Sequence, residues 1–242
     1  IILANHEVGT IQDMKVLSGL VHKFDTYLHT DAAAGFLQMP VDVKEMGIDL
    51  MSVSGHKVHG PKGTGALYVN KGVKIEKITD GGFQEFNLRG GTENVAGIAG
   101  LGKAIEVFSR DDLKKVRDLR DYLWGRLRKE IDGVLLNGAS DLEKRVPNNL
   151  NVTFEFVEGE SVVLHMDMRG IAVITGSACF SRSLQASHIL LAMGFTHERA
   201  HGSIRFSLSK YLTKEDMDYT VENVKEVVEK LRQISPLYKV KK

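Results

Sequence analysis

The sequence predicts an α/β domain followed by a small α+β domain, and three observations carry that prediction. Short apolar runs alternate with helical periodicity through the first hundred residues, the pattern of a parallel sheet covered on both faces. A charged stretch, Ser109-Arg110-Asp111-Asp112, then breaks the chain. Beyond it, strand and helix signals no longer alternate regularly. The expected division is therefore 1–110 for the α/β part and 111–242 for the α+β domain.

Taken in order, Ile1 to Ala4 reads as a strand running into the polar loop Asn5-His6-Glu7-Val8-Gly9. Val16, Leu17, Leu20, Val21 and Phe24 recur at helical steps. Tyr27 to Thr30 reads as a strand with Asp31 at its end, and Val41 to Met46 as a short helix or turn. Ile48 to Val53 and Ala66 to Val69 are two further strands around Ser54-Gly55-His56-Lys57-Val58-His59-Gly60-Pro61-Lys62-Gly63. Glycine-rich, polar segments follow at Gly81-Gly82 and Leu88 to Asn94. Helices are expected at Val95 to Phe108 and Leu113 to Ile131. The latter has Val116, Leu119, Leu123, Leu127 and Ile131 on one face.

In the second half, strands are expected at Val134 to Leu136, Asn149 to Phe156, Ile171 to Ile174 and Ser203 to Leu208. Helices are expected at Gly159 to Arg169 and Leu184 to Met193. Thr213 with Asp216 three residues on reads as a capping-box variant opening the last helix. Its inward positions are Met217, Val221, Val224, Val228 and Leu231.

Composition removes several classes of function. The 242 residues are 43% hydrophobic and 26% charged, with net charge +1, so no electrostatic footprint points to nucleic acid or an anionic membrane. No apolar run approaches the ~20 residues of a membrane span. The first residues lack both Met and a basic leader, and the chain is expected to begin inside a longer protein. The single cysteine, Cys179, excludes an internal disulfide and fits a reducing, cytoplasmic compartment.

Ligands of open parallel sheets gather beyond the carboxyl ends of the strands. Asn5, Asp31 and Lys57 each follow a predicted strand and are expected to face one crevice. A strand-end lysine stripped of water becomes a nucleophilic amine able to form a Schiff base, although most lysines near turns are solvated. Asp31 caps a turn or holds a pyridine nitrogen protonated. Cys179 lies in a small-residue loop with Ser177, Ser181 and Arg182, where a nearby cation favours the thiolate. Arg205, within a strand, requires an anion, either a structural carboxylate or a substrate's.

Two motifs are set aside. His197-Glu198-Arg199-Ala200-His201 matches a zinc-protease pattern, but Gly194 and Gly202 leave no room for its long helix. Gly97 to Ala104 imitates a phosphate-binding loop, yet Ala104 stands where a magnesium-binding hydroxyl belongs. Helix packing explains those glycines better.

Together, Ala4-Asn5-His6-Glu7-Val8-Gly9, His29-Thr30-Asp31-Ala32, Ser54-Gly55-His56-Lys57 with Gly60-Pro61-Lys62-Gly63, and Arg89 to Asn94 resemble one family. Gly176-Ser177-Ala178-Cys179, Ala200-His201 and Ser203 to Leu208 extend the match. The sequence resembles the cysteine desulfurases of the NifS/IscS type, pyridoxal-phosphate enzymes of aminotransferase class V. The resemblance implies fold type I of the pyridoxal-phosphate transferases, aspartate aminotransferase-like, with only part of the large domain present.

It implies that Lys57 holds pyridoxal 5'-phosphate and moves the substrate's α-proton. Asp31 pairs with the ring nitrogen, Asn5 meets the 3′-oxygen, and Ser54 and His56 hold the phosphate. Thr92 reaches the phosphate of a partner subunit, and Arg205 clamps the substrate carboxylate. Cys179 takes the sulfur of L-cysteine, leaving alanine and a persulfide for an iron–sulfur scaffold or a tRNA-thiolation protein. It is also a candidate cluster ligand.

Some positions depart from the family pattern. Ala34 replaces a glutamine, Leu37 a glycine, and Phe86-Asn87 an Arg-Gly pair. The family's N-terminal segment, with its main phosphate-binding turn and ring-stacking histidine, has no counterpart, so the chain is expected to be N-terminally truncated. Other readings are a selenocysteine lyase or aminotransferase of the same class, a non-catalytic persulfide carrier or cluster scaffold, and a zinc hydrolase through His197 and His201.

Overall fold

In the computed structural model, residues 1–176 and 185–238 are described. The chain forms two compact units. The first comprises Ile1–Ala4 and Ile11–Ser109, and the second Asn5–Thr10 and Arg110–Lys242.

The first unit is built on a three-stranded sheet in the order β1 (His29–Asp31), β2 (Leu50–Ser54), β3 (Gly65–Val69). β1 and β2 run parallel, with Asp31 opposite Ser52. The expected strand at Ile1 to Ala4 reduces to bridges, Ile2 with Asp31 and Ala4 with Ile11. β3 is antiparallel to β2. The ten residues between them hold one 3-10 turn, Gly55–Val58, and too little chain for the crossover that a parallel return requires.

Helix α1 (Met14–Val21) covers one face of the sheet. Met14, Leu17 and Val21 pack there with Leu3, Leu28, Ile48 and Met51. The face predicted from periodicity is only half right, because Val16, Leu20 and Phe24 are exposed, Phe24 by 81%. The inward line is Met14, Leu17, Ser18 and Val21, a cleaner helical stripe once a buried serine is admitted to it. Ser18 is inward because Gly47 closes on it: a Cβ at Gly47 would lie 2.6 Å from the Ser18 hydroxyl. Strand alternation puts Asp31, Ser52, Ser54 and Leu67 on the opposite face. Leu67 there is 50% exposed, so helical cover on both faces is not found among the described residues of this unit.

The single turn α2 (Gln84–Asn87) precedes helix α3 (Val95–Glu106). Asn94 caps α3 by accepting from the Gly97 amide at 3.1 Å. Leu37, Phe86 and Asn87 have φ of 60°, 57° and 63°, a left-handed conformation that glycine adopts freely and other residues adopt at a cost. Leu37 and Asn87 occupy the two positions where the resembled family carries glycine.

The second unit has an antiparallel sheet in the order β4 (Val134–Leu136), β5 (Asn149–Phe154), β6 (Ser203–Ser207). Helices α4 (Arg110–Glu130), α5 (Gly159–Asp167) and α8 (Lys214–Ile234) pack on one face. The predicted stripe of α4, Val116, Leu119, Leu123, Leu127 and Ile131, is wholly buried. It meets Leu150, Val152, Phe154, Met217, Val221, Val224 and Val228 in one core. Thr213 and Asp216 form the reciprocal capping box of α8.

The other face of this sheet is buried and polar. Every residue of β5 is buried, so Asn149, Asn151 and Thr153 must find partners inside the protein. Asn137 supplies several, donating to Asn151 Oδ1 at 2.8 Å, Thr153 Oγ1 at 2.9 Å and Ser203 Oγ at 3.1 Å. The strand expected at Ile171 to Ile174 is a single bridge between Ile174 and Arg205. Of the helix expected at Leu184 to Met193, Leu184 lies outside the described residues and the rest holds the short α6 (His188–Ala192). A further turn of helix, α7 (His197–His201), precedes β6.

Candidate functional site

The first unit carries Asp31, Ser54, His56, Lys57 and Thr92. Asp31 ends β1, where its Oδ1 accepts the Ala33 amide at 2.9 Å. This turn-capping bond fixes the carboxylate at the strand end and leaves Oδ2 outside that bond. Beside it, His29 Nε2 and Ser52 Oγ lie 2.8 Å apart. At the end of β2, Ser54 Oγ and His56 Nδ1 also lie 2.8 Å apart. Hydroxyl and imidazole thus form one polar pair on the turn that bears Lys57.

Glycines hold this turn in shape. Gly55 lies so close to the returning chain that a Cβ would meet Thr64 Oγ1 at 2.8 Å and the Pro61 carbonyl at 3.1 Å. The Gly60 amide closes the turn by donating to the Gly55 carbonyl at 2.9 Å. Helix α3 packs on it through two more glycines. A Cβ at Gly97 would lie 2.5 Å from Thr64 Cγ2, and one at Gly100 would lie 2.6 Å from Pro61 Cγ. The run that imitates a phosphate loop is a helix face cleared for the Lys57 turn. Lys57 itself is exposed, so the loss of water expected of a strand-end lysine is not produced by this unit. Thr92 lines a hollow of about 250 Å³ with Gly63, Thr64, Arg89 and Asn94.

Asn5 and Arg205 belong to the second unit. Asn5 Oδ1 accepts the amides of Glu7 and Val8, each at 2.9 Å. Its acceptor is thereby used inside the turn, and its Nδ2, a donor, is the atom suited to an anionic oxygen. Gly9 completes the turn with φ of 76°, and a Cβ there would stand 2.8 Å from Asn149 Oδ1. Asn149 and Asn151 both donate to the Glu7 carbonyl at 3.1 Å. Arg205 Nη1 donates to the His6 carbonyl at 2.9 Å. Cys179, with Ser177, Ser181 and Arg182, lies outside the described residues.

Sequence reasoning overlooked Glu7. It is 1% exposed, and burial pushes its carboxyl above the ordinary carboxylate range, against the pull of the Ser187 hydroxyl, Arg205 and His188. Arg205 thus acts on this buried acid through its charge, while its hydrogen bond goes to the neighbouring His6 carbonyl. No local pattern marks it, because Glu7 stands among Asn5 and His6 in a loop that reads as polar.

In α7, His197 and His201 are exposed and Ala200 is the buried residue. Arg199 reaches back to Asn137 Oδ1 at 3.0 Å and to the Leu136 carbonyl at 3.0 Å, and lies 3.6 Å over the Phe195 ring. The zinc-like motif serves here as an anchor of the helix. Among the described residues, no three His, Cys, Asp or Glu side chains group to hold a metal ion.

Comparison with known proteins adds the family. The sequence model of the aminotransferase class-V family matches residues 1–220. The chain belongs to this family. It is 50% identical over 236 residues to cysteine desulfurase IscS of Dictyoglomus turgidum, covering 96% of this chain and 59% of that protein. It is 48% identical over 240 residues to the IscS of Methanosarcina thermophila, with 98% and 59% covered. A NifS-like protein from Rickettsia africae superposes with a TM-score of 0.84 at 31% identity, over 95% of this chain and 61% of that one. The protein SspA in complex with cysteine gives 0.70 at 33%, over 88% and 59%. This class-V chain thus spans about three fifths of the length of these relatives.

Class-V enzymes depend in general on pyridoxal phosphate. The donor set of the first unit fits that group: a carboxylate at one strand end, a hydroxyl–imidazole pair at the next, and an exposed amine between glycines. No helix among the described residues is long and apolar enough to cross a membrane.

Proposed function

We propose that this chain is the greater part of a cysteine desulfurase, which takes sulfur from L-cysteine, releases L-alanine and carries the sulfur as a persulfide on Cys179. The observation that carries this reading is the Lys57 turn. An exposed amine, a hydroxyl–imidazole pair and, on the adjacent parallel strand, a fixed carboxylate stand together in one unit. Similarity to proteins named cysteine desulfurase supports the choice within the class.

In this reading Lys57 holds pyridoxal phosphate, Ser54 and His56 hold its phosphate, Asp31 pairs with its ring nitrogen, and Asn5 Nδ2 donates to its 3′-oxygen. Bound there, the cofactor supplies an electron sink for charge developing at the substrate's α-carbon. Lys57 moves the α-proton, and Arg205 holds the substrate carboxylate by a charge-assisted bond. The Cys179 thiolate attacks the substrate sulfur. The new S–S bond forms as the C–S bond breaks, the electron pair of that bond stays on carbon, and a proton completes alanine. One thiol and one cysteine become one persulfide and one alanine.

The persulfide then passes to an iron–sulfur scaffold or another sulfur acceptor, in the cytoplasm. A homodimer belongs to the same reading, with Thr92 reaching the phosphate at the partner's site. The exposed Ile78, Phe83 and Val95 in the same stretch support it.

The test uses the full-length protein loaded with pyridoxal phosphate. L-cysteine should yield equal alanine and sulfide in the presence of a reductant, with a labelled persulfide mapping to Cys179. Lys57→Ala should abolish both the visible absorbance and the reaction. Turnover that survives Cys179→Ser at the full rate would overturn the persulfide route.

A further inference from the structure

Within the second unit, β5 grips the turn that carries Asn5 at a single atom. Asn149 and Asn151 stand two residues apart on the strand, so their side chains leave the same face. Both amides donate to the Glu7 carbonyl at 3.1 Å, and all three residues are buried. A carbonyl oxygen has two lone pairs, and here donors from two positions along the strand share them. Two bonds on one oxygen fix it along the strand as well as across it.

The Asn149 contact is made at a cost. Its Oδ1 is buried with no hydrogen-bond partner among the described residues. The side chain fits only because position 9 is glycine, where a Cβ would stand 2.8 Å from that oxygen. A buried amide with an unmet acceptor weakens the fold unless its donor is put to use, and the bond to Glu7 is that use.

Glu7 passes the grip on to the site. Val146 holds the far end of the turn through the Gly9 carbonyl at 2.9 Å, but it is the Glu7 amide that meets the Asn5 side chain. Asn5 Oδ1 accepts that amide and the Val8 amide. The Asn5 carboxamide is planar, so two bonds on its oxygen also set the direction of Nδ2. Deeper in the sheet, Asn137 donates to Asn151 Oδ1 at 2.8 Å, and Arg199 donates to Asn137 Oδ1. The Asn151 amide is thereby kept from turning over.

We propose that Asn149 and Asn151 are positioning residues for the cofactor, aiming Asn5 Nδ2 by clamping the Glu7 carbonyl. The inference rests on the function proposed above, in which Nδ2 donates to the 3′-oxygen of pyridoxal phosphate. A donor there stabilises negative charge on that oxygen, and so lowers the pH at which the bound chromophore loses its proton.

The experiment titrates the visible absorbance of the full-length, cofactor-loaded enzyme against pH, with thermal melting of the same samples. Asn5→Ala should raise the pH midpoint by about one pH unit, the size expected when a charged oxygen loses a hydrogen bond. Asn149→Ala should raise it by a smaller amount. The double variant Asn5→Ala/Asn149→Ala should match Asn5→Ala, because Asn149 acts through Asn5. Ser203→Ala is the control from the same buried network. Its hydroxyl accepts from Asn137 at 3.1 Å and donates to the Arg199 carbonyl at 2.8 Å, with no hydrogen bond to Glu7 or Asn5 among the described residues. It should lower the melting temperature and leave the pH midpoint in place.

An Asn149→Ala midpoint equal to wild type would overturn the inference. So would a double variant whose shift is the sum of the two single ones, or an equal shift in Ser203→Ala. If Asn149→Ala fails to fold, Asn149→Ser is read by the same criteria. An Asn5→Ala enzyme that holds pyridoxal phosphate with an unmoved midpoint would refute the role of Asn5 in the underlying function, and the clamp with it. A moved Asn5→Ala midpoint beside an unmoved Asn149→Ala one refutes the clamp alone.

Discussion

Single residues decide where this chain departs from the sequence it resembles. Phe86 sits at φ of 57° and is 96% exposed, so it bears the cost of a left-handed backbone with no burial to offset it. Phe86→Gly should therefore stabilise the first unit by about 1 kcal/mol, read as a higher thermal midpoint. Leu37 is a less clean case, because its half-buried side chain also has contacts to lose. The places of several residues proposed for the site were legible without coordinates: Asp31 ends β1, and Ser54, His56 and Lys57 stand at or just past the end of β2. Glu7 was not legible, because burial of an acid depends on Arg205, 198 positions away in the chain, and no local pattern records it. The Lys57 environment was misjudged for a related reason. A strand end predicts a direction for the side chain, but desolvation depends on what else lies over it.

At the scale of elements, amphipathic stripes were legible and strand boundaries less so. The α4 and α8 faces and the Thr213 capping box appear as their spacing predicts, since these features are local. Ile171 to Ile174 has the composition of a strand but makes one bridge, Ile174 with Arg205 on the open edge of β6, because composition does not record how far two segments run alongside each other. Helix α3 gives a prediction of reversed sign. Replacing a glycine inside a helix by alanine ordinarily stabilises by about 1 kcal/mol. Gly100→Ala should instead destabilise by about 1–3 kcal/mol, because its Cβ would stand 2.6 Å from Pro61 Cγ. Chemical denaturation of the two proteins side by side checks the sign. Loosening this contact should also weaken cofactor retention, since Pro61 belongs to the turn that carries Lys57.

For the whole molecule, the two units differ in how they meet acid. Burial alone would raise the Asp49 carboxyl in the first unit, but the Leu28 amide and the His22 imidazole, each at 2.8 Å, outweigh it and hold it below its usual range. A lowered folded pKa contributes stability that is complete above the ordinary aspartate value. That contribution fades as pH falls through the folded value. Wild type should therefore exceed Asp49→Asn in thermal midpoint near neutrality, and the gap should close below about pH 4. Glu7 runs the other way. Its folded pKa is raised, so its contribution is complete at acid pH and diminishes as pH climbs through that raised value.

The assignment of Asn5–Thr10 to the second unit has a kinetic consequence. The Asn149 and Asn151 amides reach Glu7 across 142 and 144 positions of chain, and Arg205 reaches His6 across 199. Contacts this distant in sequence form late, after loop closure has already cost entropy. A nascent chain would hold its Asn5 turn open until β5 and β6 had been synthesised. A piece running 111–242 should refold faster than the intact second unit, yet reach a less stable end state in which the Asn149 and Asn151 amides lack the Glu7 carbonyl. Adding the six-residue turn as a separate peptide should restore stability without restoring the slow phase.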